Sequence, residues 1–148
     1  MHIINKDAKF HYQILESWEA GIVLTGPEVR SVKNKQIQLK GSYVSVSGEQ
    51  LWLAGAHITP YQPRNKQAGT QIPNRPRKLL LSKKEIISLK TKLTAQGLTI
   101  VPIAVYNKGR KLKVEIAVVR GKKAHDKRET LKKRESERDI MRDIKLAR

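Results

Sequence analysis

Apolar and polar positions change period several times along the chain, and each change marks an element. From Phe10 to Leu24 the text FHYQILESWEAGIVL is aromatic and aliphatic around a glycine. It predicts one long strand, bent or bulged near Ala20-Gly21. In TGPEVRSVKNK, Thr25 and Glu28 have capping-box spacing, and Pro27 sits where its missing N–H costs nothing. A short helix is expected from about Pro27 to Lys33. Tyr43, Val44 and Val46 lead into Ser47-Gly48, and Leu51, Trp52 and Leu53 follow, which is a β-hairpin pattern. Residues 59–78 hold four of the six prolines and read as a long loop. SKKEIISLKTKLTAQG is the clearest helix. Ser82 and Glu85 form a second capping box, Ile86, Leu89 and Leu93 share a face, and Gly97 is placed for the C-terminal cap. LTIVPIAVY and KLKVEIAVV, joined at NKGR, read as a second hairpin. Its Leu112, Val114, Ile116 and Val118 line a buried face, and the other face starts wet.

These elements make the fold mainly β. Short strands at this spacing, with helices inserted, predict a small antiparallel β-barrel or sandwich over residues 1–120. Residues 121–148 break the pattern and form a basic C-terminal tail. On a helical wheel Ile140, Met141 and Ile144 fall within about 100°, but Leu131 lies opposite. No continuous apolar stripe exists to dock on the barrel. Alone in water such a tail is expected to be flexible or only partly helical.

Charge sharpens the picture. The chain has 148 residues and a formal net charge of +18, and twelve of its thirty-one Lys and Arg residues lie between Arg120 and Arg148. An excess of that size points to a polyanionic partner. No apolar run approaches the roughly 20 residues that span a bilayer, and the polar start MHIINKDAKFHYQ lacks a signal-peptide core. A cytoplasmic nucleic-acid binder is therefore expected. Without cysteine there is no disulfide, thiolate metal site or cysteine nucleophile. His2, His11, His57 and His125 show no metal-ligand spacing, and no phosphate-loop pattern occurs. Neither an enzyme nor a cofactor is expected. Two basic clusters stand out. RPRKLLLSKKE, from Arg75 to Glu85, reads either as a solvated helix start or as a phosphate grip. RGKKAHDKR, from Arg120 to Arg128, is denser.

The blocks NKDAKFHYQILESWEAGIVLTGPEVRSVK, LKGSYV, GAHITPY, RPRKLLL, GLTIVPIAVYNKGRKLKVEIAVVRGKK and HDKRE together resemble the SsrA-binding protein (SmpB) family of bacterial trans-translation. They cover nearly the whole chain in the family's order. The resemblance implies an OB-like barrel that binds the tRNA-like domain of transfer-messenger RNA, and a tail that is flexible in isolation. The pair would enter ribosomes stalled without a usable stop codon, with the protein standing in for the missing anticodon arm. Partners implied are that RNA, the decoding centre and mRNA channel of the small ribosomal subunit, and elongation factor Tu through the shared RNA. The family's RNA-binding residues map onto Glu19, Leu80 and Ser82, with Lys78 and Lys113 as phosphate neighbours. Ser82 departs from the family's usual Asn and has a shorter reach. A carboxylate such as Glu19 accepts from base amino groups, so it would read bases rather than backbone. In the tail, Gly121, Lys122, Lys123, His125, Asp126, Lys127 and Arg128 match the family's functional stretch, and Ile140 and Met141 match a terminal apolar pair.

Two rival classes fit the composition. Many ribosomal proteins are small, basic and tailed. General single-strand binders of the OB class need an aromatic stacking platform, whereas the seven aromatics here are dispersed along the sequence.

Overall fold

The computed structural model describes residues 1–61, 71–95, 97–122 and positions 134, 135 and 138. In chain order the elements are β1 (His2–Ile4), α1 (Lys6–His11), β2 (Tyr12–Ile22), α2 (Gly26–Lys33), β3 (Ile37–Gln38), β4 (Tyr43–Ser47), β5 (Gln50–Ala54), β6 (His57–Ile58), β7 (Arg77–Leu80), α3 (Lys83–Leu93), β8 (Leu98–Lys108) and β9 (Lys111–Gly121). Seven strands form one sheet in the order β1-β8-β9-β2-β7-β5-β4, and β3 pairs with β6 in a second, two-stranded sheet. Every pairing is antiparallel. β4 approaches β8 without pairing to it. The expected barrel is thus an open sheet curled around its core, mainly β and OB-like, whose seam is side-chain packing rather than hydrogen bonds.

Alternation explains the core. Ala20, Leu51, Leu53, Leu79, Ile100, Val114 and Ile116 point inward and are almost fully buried. α3 contributes Leu89, with Ile86 and Leu93 partly buried beside it. Its last turn is tied to β2, where Lys92 pairs with Glu16 and its ammonium lies 5.1 Å from the centre of the Trp18 ring. A smaller cluster, Ala8, Val101, Ile103, Ala117 and Val119, fills the opposite face of β8 and β9 under α1. So α1 covers one end of the outer face, and among the described residues no helix covers the other end.

Several expectations need correction. Phe10 and His11 belong to α1 rather than to the long strand. Asn5 caps that helix by accepting from the Ala8 amide at 3.2 Å, and its own amide donates to Pro102 O at 2.8 Å and Leu39 O at 3.3 Å. One buried side chain therefore pins α1, β8 and the segment before β4. The bulge in β2 lies between Ile14 and Glu16, not at Ala20-Gly21. A second irregularity, between Pro102 and Ala104, accommodates a proline inside a paired strand, where it has no N–H to give. Gly97 takes a positive φ of 82°, but it lies beyond the C-cap, which is Thr94. β1, β3, β6 and β7 have no counterpart among the expected strands.

Both capping boxes form as expected. The first does more than cap. Glu28 accepts from the Thr25 amide at 2.9 Å, and its carboxylate also pairs with Arg75 and with Arg77, whose Nε donates to Glu28 Oε2 at 2.8 Å. Arg77 is wholly buried. It also donates to Ala56 O at 2.8 Å and to Pro73 O at 2.9 Å. The described ends of the 59–78 segment are fastened accordingly: Ile58 donates to Pro73 O, and Tyr61 and Gln71 exchange two hydrogen bonds of 2.8 Å.

Burial pushes the Glu28 carboxyl up, but Arg75, the Thr25 amide and Arg77 outweigh it and hold the group below its ordinary range. A lowered folded-state value adds stability above the unfolded carboxylate range, and that stability is lost as pH falls through the folded value. Glu28→Ala leaves Arg77 buried without its counter-charge and should cost about 3–5 kcal/mol. Urea denaturation should show this loss near neutral pH, and the gap to the unsubstituted chain should narrow in acid. A midpoint shift no larger than that of the exposed-site control Glu49→Ala would contradict the assignment.

Candidate nucleic-acid interface

Register sets one row of residues across five strands. Leu80 on β7 faces Gly21 on β2, Gly21 faces Lys113 on β9, Lys113 faces Tyr106 on β8, and Tyr106 faces His2 on β1. The adjacent row, Ala20, Val114 and Val105, is buried, so this one points outward. Leu80 is 51% exposed, a large apolar side chain standing in water. Gly21 is small for a reason of space: a Cβ there would lie 3.2 Å from Leu80 Cβ. The glycine read from sequence as a bend instead makes room for the leucine.

Glu19 lies two residues away on the same face of β2. Its carboxylate accepts from the Tyr106 hydroxyl and, at 3.1 Å, from Lys108 Nζ. The Tyr106 hydrogen bond, then Lys108, with Lys113 adding its charge, hold the Glu19 carboxyl below its ordinary range. Burial and the Glu19 hydrogen bond push the Tyr106 phenol up to about 12. At neutral pH the site is a fixed carboxylate that accepts from a neutral phenol and an ammonium, with lone pairs left for a partner's N–H groups. His2 packs edge-on against Tyr106 at 5.9 Å and supports it from β1.

Beside Leu80 a groove of about 410 Å³ runs between β7 and α3, lined by Lys78, Leu80, Lys83, Ile86, Ile87 and Lys90 among others. Ile87 is 63% exposed. The groove combines apolar floor with cations, which suits bases and phosphates together.

The family model described as SmpB protein matches residues 2–146. The chain belongs to the SmpB family. It is 48% identical over 141 residues to the SsrA-binding protein of Streptococcus mutans, spanning 95% of this chain and 90% of that protein. The SsrA-binding protein of Mesoplasma florum is 47% identical over 146 residues, 97% of each chain. A chain in the solved structure described as "tmRNA-SmpB: a journey to the center of the bacterial ribosome" shares the fold with a TM-score of 0.69. It is 38% identical, with 83% of this chain and 85% of that one covered.

Within this SmpB chain the fold brings Glu19, Lys113, Leu80 and Lys78 onto one side of the sheet. Ser82 lies two residues after Leu80, and its hydroxyl is engaged in the cap of α3: it accepts from the Glu85 amide at 3.3 Å and donates to Glu85 Oε1 at 2.9 Å. In RPRKLLLSKKE both arginines are committed to Glu28 and Arg77 is buried, so the cations left for a phosphate grip there are Lys78, Lys83 and Lys84. Lys78 points the other way along the alternation and stays half-exposed. Tyr106 and Lys108 were missed from sequence, since nothing local ties them to Glu19. Gly121 ends β9, and Lys122 donates to the carbonyls of His11 and Lys9. Lys123, His125, Asp126, Lys127, Arg128, Ile140 and Met141 lie outside the described residues. Among the described residues no group of His, Asp and Glu could hold a metal, and no helix is long and apolar enough to cross a membrane.

Removing the Tyr106 hydroxyl should release Glu19. In Tyr106→Phe the Glu19 carboxyl, followed by NMR titration, should move up toward the ordinary glutamate range. The unsubstituted protein should show one phenol that ionises only near 12 in a spectrophotometric titration, and that transition should vanish in the variant. An unmoved Glu19 titration would mean that Lys108 alone sets its charge.

Proposed function

We propose that this chain is an RNA-binding protein of trans-translation. It binds the tRNA-like domain of transfer-messenger RNA and brings that RNA to stalled ribosomes. The observation that carries the reading is the match along almost the whole chain to proteins named SsrA-binding proteins. The net charge of +18 suits both RNA partners. In this reading the chain acts by binding, without catalysis, in the cytoplasm, and meets elongation factor Tu through the shared RNA.

The open end of the outer face supplies the specific contact. Glu19 accepts from base amino groups, Leu80 packs against an exposed base or ribose, and Lys113 and Lys78 meet the flanking phosphates. Ser82 contributes through the position of α3 and its N-terminal amides, because its side chain is already the cap. Residues 121–148 are the second functional part. Gly121, Lys122, Lys123, His125, Asp126, Lys127 and Arg128 lead the tail past the decoding centre, and Ile140 and Met141 give it a small apolar contact within the empty mRNA channel. Ordering of such a tail is coupled to its contacts with RNA phosphates.

Three measurements test this. Affinity for the tRNA-like RNA should fall by roughly 0.7–0.9 log units per neutralised phosphate for each tenfold rise in salt; a flat response contradicts the phosphate contacts. In gel-shift titrations Glu19→Gln or Leu80→Ala should weaken binding about tenfold, the scale of one good base contact, while Lys127 and Arg128 variants bind nearly as well as the unsubstituted chain. The reverse order would overturn the division between sheet and tail. Truncation before Ile140 should leave RNA binding nearly intact and abolish transfer of the stalled chain to alanine-charged RNA in a peptidyl-transfer assay. Full transfer by the truncated chain would show that the tail is only a solvated charge run.

A further inference from the structure

Tyr12 and Tyr43, far apart in sequence, line one cavity at the end of the outer face opposite Glu19. Tyr12 opens β2 and lies seven residues before Glu19, about 23 Å away along the strand at ~3.3 Å per residue. Phe10 and His11 end α1, their rings packed edge to face at 5.1 Å. Tyr43 opens β4 and is 50% exposed. Between His11, Tyr12 and Tyr43 is a cavity of about 300 Å³ whose lining also includes Asp7, Ser42 and Thr99. It lies beside the point where the chain leaves the sheet, since the Lys122 amide donates to His11 O at 2.9 Å.

We propose that this cavity is a second RNA site, which takes one unstacked base of single-stranded RNA. Four features argue for that occupant. The volume exceeds that of a nucleobase and the walls carry two tyrosines, one of them with a half-exposed ring free to stack. Asp7 is the one carboxylate among the lining residues. Its Oδ1 lies 3.3 Å from His11 Nε2, which leaves the second oxygen to accept from a base amino group. A carboxylate repels phosphate, so the pocket itself reads a base edge and not the backbone. The cations stand outside it: Lys9 on α1 and Lys40, next to the lining Gly41, are exposed and can meet the flanking phosphates. Asn5 forms a closed wall, because its side chain is fully engaged with Leu39, Pro102 and Ala8. The site lies at the other end of the outer face from Glu19 and does not depend on which RNA the Glu19 end binds.

The amino-group requirement gives the test. Cytosine and uracil stack alike, but only cytosine carries an exocyclic amino donor. Full-length protein is titrated with fluorescently labelled hexacytidylate and hexauridylate at low salt, with anisotropy as the readout and Tyr43 ring resonances followed by NMR. Hexacytidylate should bind at least fivefold more tightly and shift the Tyr43 signals. Tyr43→Ala should weaken it at least fivefold, and Asp7→Asn should erase the preference for cytosine. Ser47→Ala, an exposed position outside both sites, should change neither. Thermal melting of each variant separates lost binding from lost fold, and Tyr43→Phe, which keeps the ring, should restore affinity. Equal binding of the two oligonucleotides, unchanged affinity in Tyr43→Ala, or an equal loss in Ser47→Ala would each overturn the proposal. Binding of the tRNA-like RNA is measured separately, so failure of that reading and failure of this one give different results.

Discussion

The Glu28–Arg77 pair is the constraint on which the rest of the arrangement depends. Two charges inside a small β domain are unfavourable unless every hydrogen-bonding group has a partner, and here the partners come from distant parts of the chain. Glu28 closes the cap of α2 and binds two arginines from a segment 47 and 49 residues later. Arg77 in turn holds carbonyls at Ala56 and Pro73. The pair therefore fixes where β7 lies relative to α2, and β7 fixes Leu80 against Gly21. The exposed face inherits its geometry from a contact on the far side of the same strand.

That face exists because the outer surface of the sheet is unequally covered. α1 takes the end where β8 and β9 carry Val101, Ile103, Ala117 and Val119, and it is held there by Asn5. The other end carries Tyr106, Lys108, Lys113 and Glu19, and among the described residues nothing lies on top of it. Alternation along two eleven-residue strands assigns both roles to one surface. The covered end stabilises the fold, and the open end presents a carboxylate already ionised and oriented.

Local signals were read well from sequence where a single element carried them. The two capping boxes, the 43–54 hairpin and the β8–β9 hairpin follow from caps, turns and period. What sequence hid were features made by pairs of distant residues. Arg77 belongs to a basic run, and nothing within that run marks it as the one that faces inward. β7 was hidden for the same reason, since its inward positions are Arg77 and Leu79 and it follows two prolines. α1 has a cap in Asn5 and an acid in its first turn, but six residues ending in Phe10 and His11 read equally well as strand. At the candidate site, Glu19 was marked only through family resemblance. Its hydrogen-bond partners Tyr106 and Lys108 lie 87 and 89 residues away. No periodicity reaches that far.

The open ends of the curled sheet bear on how the protein behaves in a crowded solution. An unpaired strand edge is a template on which another chain can add, and open β proteins risk joining edge to edge. Here one edge is β1, only three residues long. The other is β4, which curls back toward β8. Neither offers a long flat ladder to a second copy. The same curl that leaves the sheet unclosed also keeps it from templating fibrils, and strong mutual repulsion between copies of so cationic a chain works in the same direction. A protein with this surface can stay monomeric without a fully hydrogen-bonded barrel.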